Sequence, residues 1–114
     1  MVPKGLIVLW GMLLASVLSA SEHVVSQKDK AFMLNGQFVE HLQIEVGDQI
    51  SFLNEDPFYH NVFSSSEVSR FDLGVFPRGE RRSVTFDEVG VVELECAIHP
   101  YMYFTVDVQR GTEQ

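Results

Sequence analysis

Two runs of strict alternation, joined by a short loop, constrain this chain more than any other feature. In Gly90-Val91-Val92-Glu93-Leu94-Glu95-Cys96, the residues Val92, Leu94 and Cys96 share one face, while Glu93 and Glu95 take the other. Beyond the loop, Met102, Phe104, Val106 and Val108 share a face against Tyr101, Tyr103, Thr105 and Asp107. A period of two marks a strand with one face buried and the other wet. Cys96 then ends one strand and Met102 starts the next, both turned into the core, with His99 in the loop between them.

The same alternation recurs upstream in Gln49-Ile50-Ser51-Phe52-Leu53-Asn54, and Asp56-Pro57 breaks it before His60. Short strands are expected over 23–27, 40–46, 49–54, 61–63, 83–86, 91–97 and 101–108. Gly47-Asp48 and Asp87-Glu88-Val89-Gly90 read as hairpin turns, and Pro77-Arg78-Gly79-Glu80 as a hairpin tip with a solvated charge cluster around it. No segment keeps a helical period, although 65–70 has room for one turn, and there is no internal repeat. Many short alternating strands predict an antiparallel β-sandwich.

Four residues then stand out chemically. Cys96, His99 and Met102 offer a thiolate, an imidazole and a thioether within seven residues, and His60 supplies a second imidazole. Two imidazoles, one thiolate and a weak axial thioether are the donor set of a mononuclear blue-copper electron-transfer site. The soft sulfur donors suit Cu(I), and imidazole suits both valences. Cys96 is the only cysteine, so it cannot form an internal disulfide. An inert core thiol or an intermolecular bridge are its other uses; an inward phase beside His99 and Met102 favours ligation. His60 joins the set only if the fold is a compact sandwich.

Residues 1–20 read as a secretory signal, with Lys4 as the positive start, Leu6 to Leu18 as the apolar run, and Leu18-Ser19-Ala20 as the cleavage site. The domain then runs from 21 to 114, in a periplasmic or secreted setting, soluble once cleaved. The formal charge is −8, which argues against nucleic acid and is compatible with a basic protein partner. Cleavage before Ser21 would also create a Ser21-Glu22-His23 terminus. Its amine, two amides and imidazole could wrap Cu(II) or Ni(II) in a square plane.

The residues from about 27 to 108 resemble a small cupredoxin of the plastocyanin and amicyanin type. Val46-Gly47-Asp48 leading into a strand, His60-Asn61-Val62, Gly90 before the cysteine strand, and the Cys96-x-x-His99-x-x-Met102 spacing carry the resemblance. Pro100 directly after the loop histidine is shared with amicyanin, while Ala97-Ile98 stands where amicyanin has Thr-Pro. The resemblance implies an eight-stranded Greek-key sandwich with one type 1 copper at one end. It implies that Asn61 ties the loop of His60 to the loop of Cys96. It also implies a monomer that meets a redox partner transiently, a cytochrome c or a copper or quinone oxidoreductase.

Other residues carry less. His41 alternates to the wet face and has no metal role. Tyr59, Tyr101 and Tyr103 each lie within a residue of a candidate donor and could shape a docking surface beside His99, though strand preference also accounts for them. No catalytic constellation appears, and four protein donors leave a copper no open position for substrate, so the chain reads as an electron carrier rather than an enzyme. The alternatives are a protein that stores or delivers copper without cycling it, and a metal-free interaction domain.

Overall fold

The computed structural model describes residues 20–111, so the expected signal segment lies almost wholly outside the described residues. Among the described residues ten strands form: β1 (Glu22–Lys28), β2 (Ala31–Leu34), β3 (Gln37–Phe38), β4 (His41–Glu45), β5 (Gln49–Asn54), β6 (His60–Ser64), β7 (Phe71–Phe76), β8 (Arg81–Thr85), β9 (Gly90–Glu95) and β10 (Tyr103–Gln109). They make two five-stranded sheets, β3-β2-β1-β5-β8 and β4-β10-β9-β6-β7. The all-β sandwich expected from the alternation is present. Among the described residues, no helix is long and apolar enough to cross a membrane.

Three of these strands escape the sequence reading. Ala31-Phe32-Met33-Leu34 is apolar without alternation, Gln37-Phe38 is too short to show a period, and Gly74 interrupts β7. The sheets also differ from the antiparallel expectation, because β1 pairs parallel with β5, and β10 pairs parallel with β4. The reason lies in the turns. Gly47-Asp48, Pro77–Glu80 and the stretch before Gly90 do not close hairpins; each carries the chain from one sheet to the other. A strand that crosses the sandwich and returns can then lie parallel to the strand it left.

The core sits between the sheets. Val92, Leu94, Cys96, Phe104, Val106 and Val108 are fully enclosed, as their phase requires. Phe32 stacks on Phe104 at 5.3 Å between ring centroids and meets Phe52 edge-on at 6.2 Å, so β2 contributes a ring that joins both layers. Full burial of such a side chain is worth about 1.5–3 kcal/mol. Val46, inward by simple alternation, is instead 39% exposed because the chain leaves β4 at Glu45 to change sheets.

Five connections gather at one end of the sandwich: the β1–β2 turn, the β3–β4 link, and the loops after β5, β7 and β9. The candidate donors stand in two of them.

Candidate metal centre

Cys96 follows the last residue of β9 and Met102 precedes the first of β10, so both sit where the alternation put them, buried under the loop they bracket. The loop closes on itself: the Met102 N–H donates to the His99 carbonyl at 2.8 Å. This is a four-residue turn with Pro100 in its second place, where a fixed φ favours the bend. The turn lifts His99 over Cys96 and leaves its ring half-buried.

His60 begins β6 opposite Phe76, one residue earlier than the strand expected from sequence, and is completely buried. A bulge between Asn61 and Phe63 interrupts the alternation of β6, so that His60, Asn61 and Val62 are all enclosed. Bulges often re-aim side chains near functional sites in this way. Here the bulge lets His60 reach Cys96 while Asn61 reaches the next loop.

The three donors converge. Cys96 Sγ lies 3.6 Å from His60 Nδ1 and 3.9 Å from His99 Nδ1. All three donor atoms lie within 4.8 Å of one another. Bond lengths of about 2.3 Å to sulfur and about 2.0–2.1 Å to nitrogen, opened to roughly 120°, separate S from N by roughly 3.8 Å. The spacing therefore fits a shared metal ion in a trigonal arrangement. A trigonal His₂Cys set is the strong-donor chemistry of type 1 copper, and Met102 lies buried at the far end of the same loop.

The electrostatics favour the thiolate form of Cys96. Burial works to raise the Cys96 thiol, but hydrogen bonds with His60, the Asn61 N–H and His99 outweigh it and bring the thiol down to about 6. Burial likewise works to lower His60, yet Cys96 and Asp56 prevail and hold it above the ordinary value. A thiol ready to ionise near neutral pH is a thiol ready to ligate.

Asn61 bonds to both ends of the cysteine's neighbourhood. Its N–H points at Cys96 Sγ at 3.4 Å, and its side-chain oxygen accepts from the Ala97 N–H at 2.7 Å. His41 is exposed at the start of edge strand β4 and is not among the clustered donors.

Two residues have parts here that the sequence did not disclose. Asp56, read only as a strand breaker, is buried and bonds His60 Nε2 at 2.7 Å. Phe58 packs its ring against both imidazoles, with centroids 5.4 Å from His60 and 5.2 Å from His99. The spacing from Asp56 to His60 is visible in sequence, but nothing there says that the loop folds the carboxylate back onto the ring.

The residues of the square-planar site expected at Ser21-Glu22-His23 make other bonds in the uncleaved chain. His23 lies in β1 paired with Ile50, and its Nε2 bonds Asp48 at 3.0 Å, while the Ser21 N–H donates to the same carboxylate at 2.9 Å. Wrapping a metal there would require Glu22 and His23 to leave β1.

No family model and no curated protein sequence matches the chain. Solved structures do. A reduced tryptophan-to-tyrosine mutant of amicyanin is 24% identical with a TM-score of 0.68, covering 83% of this chain and 88% of that one. An oxidised proline-to-alanine mutant of amicyanin gives the same identity, TM-score and coverage. The Cu-containing nitrite reductase of Thermus scotoductus is 26% identical over 85% of this chain with a TM-score of 0.69, although the match spans only 24% of that longer chain.

Proposed function

We propose that this chain, which has the cupredoxin fold, is an exported type 1 copper protein that carries single electrons between redox partners. The convergence of Cys96 Sγ on His60 Nδ1 and His99 Nδ1, at 3.6 and 3.9 Å in a buried pocket, carries the reading. Cys96, His60 and His99 are the strong ligands, and Met102 is the weak axial one. When bound, copper supplies a one-electron couple between Cu(I) and Cu(II).

The residues around the donors divide the remaining work. His60 is sealed inside, so only the half-buried ring of His99 leads outward. Tyr59, Ile98 and Tyr101 are exposed in the two donor-bearing loops, and the ring of Tyr101 lies 6.4 Å from that of His99. They supply an apolar rim for a transient contact of less than about 1,200 Å² with a cytochrome c or a copper or quinone oxidoreductase. Four protein donors leave no position for a substrate, which supports a carrier over an enzyme. Residues 1–20 direct export and are removed.

Purified protein supplied with Cu(II) should bind one equivalent with an intense blue or green thiolate charge-transfer band. Cys96→Ala should lose the band, and a variant that kept it would end the assignment. Stopped-flow mixing of the reduced protein with a soluble cytochrome then separates carrier from copper store. A store would exchange metal with a chelator far faster than it passes an electron.

A further inference from the structure

We propose that Asp56 is a positioning residue for the metal centre: its carboxylate, anchored by the β1–β2 turn, holds the His60 ring with Nδ1 toward Cys96 and lowers the reduction potential of the site. The inference rests on the copper reading above and adds a residue that the donor set does not contain.

The carboxylate is held from three directions. Its Oδ1 accepts from the Asp29 N–H at 2.7 Å, and its Oδ2 accepts from the Lys30 N–H at 2.9 Å and bonds His60 Nε2 at 2.7 Å. Asp56 is 3% exposed and His60 is fully buried, so water does not compete for these bonds. The Asp56 N–H in turn donates to Asn54 Oδ1 at 2.8 Å, and Asn54 Nδ2 donates to the carbonyls of Phe58 and Phe76. The loop from 54 to 58 is thus closed at both ends.

The turn that supplies the two backbone donors is itself unusual. Asp29 and Lys30 have φ of 55° and 58°, two successive non-glycine residues in the left-handed region. Such residues are uncommon and cost free energy, and they persist where the surroundings hold them. Here their conformation aims two adjacent N–H groups at one carboxylate. The same turn places the Lys30 ammonium 5.5 Å from the centroid of Phe58, the ring that packs on both imidazoles.

The consequence for His60 follows from donor and acceptor roles. An ionised carboxylate only accepts, so the ring nitrogen facing Asp56 carries the proton, and Nδ1 is left to face the thiolate. The protonated nitrogen cannot swap without breaking a buried bond. A fixed negative charge behind the ring also favours the more positive oxidised metal, which moves the potential down.

The test compares Asp56→Asn, which keeps shape without charge, with Asp56→Ala and with the surface control Glu93→Gln. Voltammetry of the copper-loaded proteins should show an upward shift in Asp56→Asn that the control lacks. Its copper affinity should fall by about 10–100-fold. Nitrogen-15 NMR of the diamagnetic zinc-loaded protein should show a His60 Nε2–H that exchanges slowly in the wild type and much faster in Asp56→Ala. An unchanged potential in Asp56→Asn, or equal exchange in wild type and Asp56→Ala, would overturn the proposal. Should the wild type form no coloured copper centre, the functional reading fails, while the zinc-loaded NMR comparison still decides whether Asp56 holds the ring.

Discussion

The side-chain oxygen of Asn61 accepts a 2.7 Å hydrogen bond from the Ala97 N–H, joining residues 36 positions apart in sequence. It ties the loop that ends at His60 to the loop that begins at Cys96. Asn61→Ala would remove this bond and leave the Ala97 N–H to solvent, which costs about 0.5–1.5 kcal/mol. Urea unfolding of the metal-free protein should show this loss. Equal midpoints for variant and wild type would mean that the tie holds nothing.

Met102 is 2% exposed and sits under the loop turn. Met102→Leu nearly conserves volume, so the fold should lose less than about 1.5 kcal/mol. Copper should stay bound through the three stronger donors. The site would become more apolar and lose a weak bond to Cu(II), so voltammetry should give a higher potential. An unchanged or lower one would leave Met102 as packing only.

Gly90 opens β9 at φ 148°, and a Cβ there would lie 2.8 Å from a methyl carbon of Val68. Both the backbone region and the contact oppose a side chain. Gly90→Ala should therefore destabilise the protein by about 1–3 kcal/mol. Adding Val68→Ala removes the contact but not the strain, so a double-mutant cycle should recover part of the loss. Full additivity of the two losses would show that the contact is not what excludes a side chain.

Asp48 binds the start of β1 to the turn after β4, accepting from the N–H groups of Ser21 and Glu45 and bonding His23. Burial works to raise its carboxyl, but bonds from Ser21, His23 and Glu45 outweigh it and hold it below the usual range. A folded-state value below the unfolded one, about 3.9, means that the unfolded chain binds more protons in the window between them. The stabilisation is complete above the unfolded value and is lost as pH falls through the folded one. Asp48→Asn should flatten this acid limb when unfolding free energy is measured from pH 6 downward. An identical acid limb in variant and wild type would remove Asp48 from the account of acid stability.

Much of the centre was legible because its parts are local. Alternation in β9 and β10 turned Cys96 and Met102 inward, and Pro100 after His99 suits the turn that lifts the imidazole. Donor chemistry then selected the metal. The phase of a strand and the softness of a sulfur atom do not depend on distant residues.

Other features exist only once the sheets have closed. Whether Gly47-Asp48 ends a hairpin or crosses the sandwich depends on what β4 and β5 pair with, and those partners are β10, β1 and β8. Sequence alone determined that a thiolate, two imidazoles and a thioether occur in strand phases that could meet. Tertiary structure decided that Asp56, anchored by a turn nearly thirty residues upstream, faces one of those imidazoles. The physical reason is that a side chain's phase is written in its neighbours along the chain, whereas a buried hydrogen bond is set by whichever groups packing brings together.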